Sequence, residues 1–240
     1  MAKRTDSNGY TIVFAVALVV VVGSLLAFFA NFTKELRITN DKVKSQIDIL
    51  NSMGVDATRA NAQDLFTQYI KEQYVIEGTT ATLNDEAYLI DVKKEQNAAK
   101  EGKTQRLPLF VAENEGKKIY ILPVRGNGLW DAIWGYIALN DNLKTINGVY
   151  FDHKGETPGL GANITESYFK DDFKGEHLYD ASGNFKGVEI SKSNGDPTNI
   201  DKKDNEVDAI SGSTITGNGV GAMIKSGIKL YLPYFNSLNK

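Results

Sequence analysis

The run from Asp208 to Thr214 carries hydroxyl side chains whose spacing points to chemistry. It precedes the apolar segment Val220 to Leu232, whose spacing predicts a helix. The first N–H groups of a helix lack intrahelical acceptors and therefore favour a negatively charged group. Thr214 would be exposed on the turn before this helix, and Lys225 on the helix would add positive charge. The pattern suits a phosphate ester on the threonine, although an ordinary turn and helix cap would use the same residues.

The neighbours of Thr214 would control access to its hydroxyl. Ser211, Gly212 and Ser213 are small and leave a flexible approach to the turn. Asp208 either caps the turn locally, as an Asp before a turn usually does, or orients the hydroxyl.

A first glycine-rich segment could place a planar ligand beside this turn. Gly126 and Gly128 permit a tight turn and close approach of the backbone to a ligand. Leu129 and Trp130 follow, and the indole could lie against a ring system while Arg125 meets a phosphate. The alternative is a glycine turn with a core tryptophan. The dinucleotide fingerprint is absent, because the expected strand, helix and acidic residue are missing.

A second loop, His153 to Gly161, could contact an uncharged ring edge. After Thr157, the pair Pro158-Gly159 fits a turn with a left-handed glycine, which presents Leu160 at its tip. An ordinary loop with a surface histidine explains the same residues. Neither a Ser/His/Asp nor a Cys/His arrangement is legible, so we assign no catalytic side chain.

Composition excludes several classes of protein. The 240 residues include no cysteine, which excludes disulfides, thiolate metal sites and cysteine-held iron–sulfur clusters. With only two histidines we predict no metal site, so a redox role would require an organic cofactor. The net charge of -3 gives no reason to expect nucleic-acid binding.

The segment Tyr10 to Phe32 is uncharged and exceeds the about 20 apolar residues that span a bilayer. A cleaved signal peptide is the alternative, but the segment is too long and Phe28-Phe29-Ala30 is a poor cleavage site. Lys3 and Arg4 precede the span, while Lys34 and Arg37 follow it with Glu35 between them. The short N-terminus with its free amine favours the cytoplasm. We therefore predict a single-pass anchor in contact with lipid and a large domain outside the cytoplasmic membrane.

The other elements predict an α+β fold: one transmembrane helix and a mainly antiparallel β-sheet domain flanked by helices. The predicted helices are Asp41–Met53, Ala62–Ile70 and Val220–Leu232, the last stopped by Pro233. The predicted strands are Tyr88–Val92, Leu107–Ala112, Lys118–Val124, Ile133–Leu139, Thr145–Phe151 and Lys186–Ile190. The second and third of these are predicted to form a hairpin closed by Glu113-Asn114-Glu115-Gly116. Glu95–Arg106 and Asn194–Glu206 are predicted loops. We expect a cytoplasmic N-terminus at 1–9, the span at 10–32, a helical connecting region with the start of the outer domain at 33–106, and the ligand-binding domain at 107–240.

Taken together, three motifs resemble those of the C-type subunits of the sodium-translocating NADH:quinone reductase. The family pattern D-x-x-[S/T]-G-A-T corresponds to Asp208–Thr214. The G-x-G-L-W-x-x-x-W-G-Y-I-A-L run corresponds to Gly126–Leu139, and H-x-G-E-T-P-G-L-G-A to His153–Ala162. Ser213 departs from the usual alanine, which makes Ser211, Ser213 and Thr216 rival acceptors to Thr214.

The resemblance implies an FMN-binding domain with FMN attached covalently through its phosphate to Thr214 by a separate flavin transferase. Electrons would enter from a metal centre in membrane partner subunits and leave to a second flavin, during quinone reduction coupled to sodium export. The chain would lie in the bacterial inner membrane and would not be catalytic alone. Trp130, Thr157, Gly159 and Leu160 are the expected ring and ribityl contacts.

Three alternatives stay open at this point. The homologous G-type component of the Rnf ferredoxin:NAD complex carries the same flavin linkage. A free-standing membrane-tethered FMN protein would pass electrons to outer acceptors. A non-redox anchored scaffold would use the serines and glycines only as turns.

The orientation gives a direct prediction. An enzymatic reporter fused after Lys240 should be active only outside the cytoplasmic membrane, because a long C-terminal domain translocates regardless of its own charge. Reporter activity confined to the cytoplasm would refute the orientation.

Overall fold

The computed structural model describes residues 7–192, 195–196 and 199–238. Lys3, Arg4, Asn194 and Lys240 therefore lie outside the described residues. The chain divides into two compact units, Met1–Lys42 and Val43–Lys240.

The first unit contains a long apolar helix, α1, at Asn8–Phe32. An 18-residue stretch of this helix has a mean hydropathy of 3.0, and all 25 residues of the helix are exposed. Ser7 caps the helix by accepting a hydrogen bond from the Tyr10 N–H. Among the described residues this is the one helix long and apolar enough to cross a membrane, and it contains the predicted span.

Helix α2 runs from Lys34 to Ser52 and crosses the boundary between the units. It confirms the predicted helix at Asp41–Met53 but begins earlier. Helix α3, at Ala62–Tyr69, matches the prediction within one residue. Its buried Phe66 packs on the sheet domain.

The second unit is built on a six-stranded antiparallel sheet, as predicted for an α+β fold. Its strand order is β2-β1-β3-β4-β5-β6. The strands are β1 Ile70–Glu77, β2 Thr80–Leu83, β3 Leu107–Asn114, β4 Lys117–Asn127, β5 Ala132–Asn140 and β6 Ile146–His153. β3 and β4 form the predicted hairpin, closed by Glu115 and Gly116 with φ of 52° and 72°.

Both faces of the sheet are covered. Successive side chains of a strand point to opposite sides, so each strand contributes to a core on either face. Leu109 and Leu122 face one core, while their neighbours Phe110 and Ile121 face the other. Helix α6, at Thr214–Lys229, covers the first face, and the end of α2 covers the second. This two-sided burial explains why β3 reads as a continuous apolar run.

Two predictions between residues 86 and 106 are wrong. The predicted strand Tyr88–Val92 is instead a 3₁₀ turn at Ala87–Leu89 followed by helix α4 at Val92–Lys100. Glu95–Arg106, predicted as a loop, therefore supplies most of a helix. The Asp91 side chain caps α4 by accepting hydrogen bonds from the N–H groups of Lys93 and Lys94.

Other boundaries also differ from the predictions. Lys186–Ile190 contributes only the two-residue strand β7, Glu189–Ile190, which pairs in parallel with β8, Glu206–Val207. Helix α6 begins at Thr214, six residues before the predicted start. Pro233 does not end it but lies in the first turn of α7, Leu232–Leu238, where proline removes no intrahelical hydrogen bond. Helix α5 occupies Ser167–Asp171.

Glycines bring α6 unusually close to β4. A Cβ on Gly126 would lie 2.8 Å from Met223 Cβ, and one on Gly227 would lie 2.6 Å from Val124 Cγ1. A Cβ on Gly219 would collide with the carbonyl oxygen of Asn127. This close packing places the start of α6 against the loop that follows β4.

Gly219→Ala should therefore destabilise the fold, although alanine favours a helix by about 1 kcal/mol over glycine. We expect the free energy of unfolding to fall by about 1–2 kcal/mol, since the new methyl forces a backbone shift. Urea unfolding of the full chain in detergent, followed by tryptophan fluorescence, measures the change. Asn218→Ala, on the exposed side of the same turn, is the matched control and should not destabilise. A Gly219→Ala variant as stable as the control would contradict the packing argument.

Candidate functional site

Three separate segments meet at one buried carboxylate, that of Glu156, which is 4% exposed. Its Oε1 accepts hydrogen bonds from the N–H groups of Trp130, at 2.9 Å, and Asp131, at 3.4 Å. Its Oε2 accepts one from Thr216 Oγ1 at 2.6 Å. The carboxylate therefore joins the loop after β4, its own loop after β6, and the first turn of α6.

Glycines from two loops make room for this carboxylate. A Cβ on Gly128 would lie 2.6 Å from Glu156 Oε1, and one on Gly161 would lie 2.5 Å from Oε2. The close approach that we expected of Gly128 toward a ligand is thus made to a side chain of the protein. Gly126 contacts Met223 of α6 instead.

The hydrogen bonds keep Glu156 ionised. Burial alone would raise its pKa, but the donors Thr216, Trp130 and Asp131 outweigh burial, so the pKa lies below the usual range for glutamate. The role of Glu156 was not predicted, because a buried acid in a polar loop has no sequence periodicity that distinguishes it from solvated acids. The clustering of glycines on both sides of the loop was the available signal.

Thr214 is the first residue of α6 and is exposed. Ser213 precedes it as the N-cap without a side-chain hydrogen bond to the helix. The first backbone bond in this turn runs from Gly217 N to Ser213 O. Among the described residues, the N–H groups of Thr214 and the next two residues have no acceptor. The helix start therefore presents free donors beside the Thr214 hydroxyl.

The four hydroxyls of this region differ in accessibility. Ser213 is 6% exposed, and Thr216 is 1% exposed with its hydroxyl bonded to Glu156. Ser211 and Thr214 are exposed. Gly212 between them has φ of 72°, a left-handed conformation that glycine adopts without strain.

Two large apolar side chains are exposed on the loops that adjoin the turn. Trp130 is 69% exposed, so the alternative of a core tryptophan is wrong, and its indole Nε1 donates to Thr157 Oγ1 at 3.2 Å. Gly159 has φ of 75° and presents an exposed Leu160, as the sequence predicted. Leu160 packs on the turn, because a Cβ on Gly212 would lie 2.9 Å from its Cδ2.

Two further exposed apolar residues belong to the same elements. Leu129 precedes Trp130, and Ile215 follows Thr214 in α6. Ile215 was not among the predicted site residues. Its place in the site was not predicted because the helix was predicted to begin at Val220, whereas α6 begins at Thr214.

Three charged residues serve other partners. Arg125 lies over the Trp134 ring at 5.8 Å. Lys225 faces Glu189 at 3.5 Å and is about 16 Å along the helix from Thr214, too far to contact a phosphate on that hydroxyl. Asp208 Oδ1 accepts a hydrogen bond from the Asp196 N–H at 3.4 Å rather than from the turn.

His153 is more than a surface histidine, because its Nδ1 accepts a hydrogen bond from the Glu156 N–H at 3.2 Å. This bond requires an unprotonated Nδ1. It fixes the main chain of the residue whose carboxylate joins the three segments.

A second buried acid, Glu176, anchors the chain that leads to the turn. It is fully buried, and its Oε1 accepts a hydrogen bond from Asn199 Nδ2 at 2.9 Å. Asn199 Nδ2 also donates to the Asp172 carbonyl oxygen at 2.7 Å. Burial raises the pKa of Glu176 to about 7.

This raised pKa predicts a pH dependence of stability. The folded state holds this proton more tightly than the unfolded state, so the contribution of Glu176 to stability is fully present below about pH 4.5 and is lost as pH rises through about 7. Glu176→Gln should raise the free energy of unfolding by about 1–2 kcal/mol at pH 8 and change it little at pH 4.5. Thermal unfolding at the two pH values measures this, with exposed Glu113→Gln as the control. An equal effect at both pH values would contradict the assignment.

Similarity to known proteins identifies the class of protein to which this chain belongs. The family model of the FMN-binding domain matches residues 128–229. That range includes Glu156, Trp130 and Thr214. The chain therefore carries a domain of the FMN-binding class.

Individual relatives identify the family. The C-type subunit of the Na(+)-translocating NADH-quinone reductase from Neisseria meningitidis serogroup A is 29% identical over 99% of this chain and 98% of the relative. The crystal structure of the C-type subunit from Parabacteroides distasonis is 34% identical, with a TM-score of 0.71, covering 83% of this chain and 94% of that one. The crystal structure of Shewanella oneidensis NqrC is 25% identical, with a TM-score of 0.68, covering 84% of this chain and 99% of that one. The chain belongs to the family of C-type subunits of the Na(+)-translocating NADH-quinone reductase.

Proposed function

We propose that this chain is the electron-relay subunit of a sodium-translocating NADH:quinone reductase and carries FMN covalently on Thr214. The observation that carries the proposal is the exposed hydroxyl of Thr214 beside N–H groups at the start of α6 that have no acceptor in the part of the chain that the structure describes. These donors and the helix dipole stabilise a phosphate held at that position. A phosphate ester on Thr214 would place its charge where the fold provides donors.

Burial favours Thr214 over two of its rivals. Ser213 and Thr216 are buried, and the Thr216 hydroxyl already donates to Glu156. Ser211 is exposed but lies before the left-handed Gly212, outside the helix. A phosphate on Ser211 would gain less from the helix donors, since their effect falls off within the first turn. Serine at position 213 therefore fits the turn without competing for the flavin.

The exposed apolar residues suit the flavin ring. Trp130 and Leu160 expose large apolar surfaces on the two loops beside the turn. An isoalloxazine ring on Thr214 would cover part of these surfaces, with Thr157 and Gly159 near its ribityl chain. Leu129 and Ile215 extend the same apolar rim.

The remaining organisation follows from the anchor. In this proposal residues 1–9 are cytoplasmic, 10–32 span the membrane lipid, 33–106 connect and begin the outer domain, and 107–240 hold the flavin. The large domain lies on the periplasmic side of the inner membrane. Its partners are the other subunits of the complex and a flavin transferase that attaches FMN.

FMN supplies the electron transfer, and the protein supplies its position and surroundings. Electrons would come from a metal centre in the membrane partners and pass to a second flavin in a neighbouring subunit. Similarity along almost the whole chain to a C-type subunit of the quinone reductase favours this complex over the Rnf homologue.

Thr214→Ala, co-expressed with the flavin transferase, should give a folded protein without covalent flavin, because the acceptor hydroxyl is gone. Ser211→Ala should retain full loading, and Thr214→Ser should restore at least part of it. Absorbance and mass measured after acid denaturation distinguish bound from attached flavin. Covalent flavin on Thr214→Ala, or its loss in Ser211→Ala, would refute the proposed acceptor.

A further inference from the structure

We propose that Glu156 is the positioning residue of the flavin site, joining the attachment helix to the two loops that face the ring. The inference rests on the proposed function and goes beyond it, because it assigns the geometry of the site to one side chain. Glu156 acts through Thr216 and the backbone of Trp130 rather than on the flavin itself.

The hydrogen bonds of Glu156 connect α6 to the loop of Trp130. Oε2 holds the Thr216 hydroxyl, which lies in the first turn of α6 two residues after Thr214. Oε1 holds the Trp130 N–H and thereby the loop that carries the indole. One planar carboxylate thus fixes the attachment hydroxyl and the aromatic side chain relative to each other.

The surroundings of Glu156 hold its main chain and its carboxylate in place. The Glu156 main chain is held by His153 Nδ1, and Gly128 and Gly161 fit closely around the carboxylate. Removing the carboxylate would leave two backbone donors and one hydroxyl without their acceptor in a buried place, which costs about 1–3 kcal/mol per group. These segments would move to find other partners, and Thr214 would move with them.

A Glu156→Gln substitution separates the shape of the Glu156 side chain from its charge. Glutamine at position 156 keeps the planar group, with its carbonyl oxygen facing the Trp130 and Asp131 N–H groups. Its amide would donate to Thr216 Oγ1, because a hydroxyl can act as donor or acceptor. If Glu156 acts by position, glutamine should therefore rescue what alanine loses.

The experiment compares Glu156→Ala, Glu156→Gln and wild type as full-length chains with the flavin transferase. The initial rate of covalent FMN attachment should fall about tenfold or more in Glu156→Ala and stay within about twofold of wild type in Glu156→Gln. The time-resolved fluorescence anisotropy of attached flavin should show a more mobile ring only in the alanine variant. Glu189→Ala, an exposed acid near the same helix, is the matched control and should behave as wild type.

A second pair of variants covers the case in which Glu156→Ala does not fold. Thr216→Val removes the hydroxyl that joins α6 to the carboxylate, while Thr216→Ser retains it. We expect slower attachment and a more mobile ring in Thr216→Val than in Thr216→Ser, with similar far-UV circular dichroism for both.

Two results would overturn the inference. One is wild-type attachment and ring mobility in folded Glu156→Ala, or in folded Thr216→Val if the alanine variant does not fold. The other is a Glu156→Gln variant that folds but is as defective as alanine, since charge rather than position would then matter. A wild-type chain that never acquires covalent flavin would instead refute the proposed function, so the two failures are distinguishable.

Discussion

The carboxylate of Glu156 is the interaction on which the geometry of the site depends. Three donors from two segments satisfy a buried negative charge on a third, and this charge would otherwise be costly in its buried environment. Because those donors belong to the Trp130 loop and to the first turn of α6, the same bonds that keep the acid ionised also set the relative position of these elements. Stability and site geometry therefore have one physical cause.

The packing of α6 on β4 gives this carboxylate its setting. Glycines at 126, 219 and 227 allow the helix to approach the strand more closely than side chains would permit. The helix start then lies beside the loop after β4, where the N–H groups of its first residues have no acceptor among the described residues. These donors next to an exposed hydroxyl, with Trp130 and Leu160 exposed on the adjoining loops, suit an anionic, aromatic group such as FMN.

Local patterns predicted what local physics controls. The uncharged span, the β3–β4 hairpin and the left-handed turn at Gly159 depend on short segments, and the structure contains all three. The strand pair β1–β2 and helix α4 were missed because their short, polar sequences are ordered by packing against the sheet. Glu156 was missed for the same reason: its donors lie at least 25 residues from it in sequence, and only the fold brings them to its carboxylate. For Trp130 the sequence left two interpretations open, a ring contact or a core residue, and only the fold shows that the side chain is exposed.

The most direct measurement is tandem mass spectrometry of the tryptic peptide Asp204–Lys225 from the wild-type protein isolated from its own membrane. We expect this peptide to carry the mass of FMN less one water, with fragment ions that place the whole addition on Thr214. An unmodified peptide, or an addition located on Ser211 or Ser213, would contradict the central claim that the start of α6 holds the flavin.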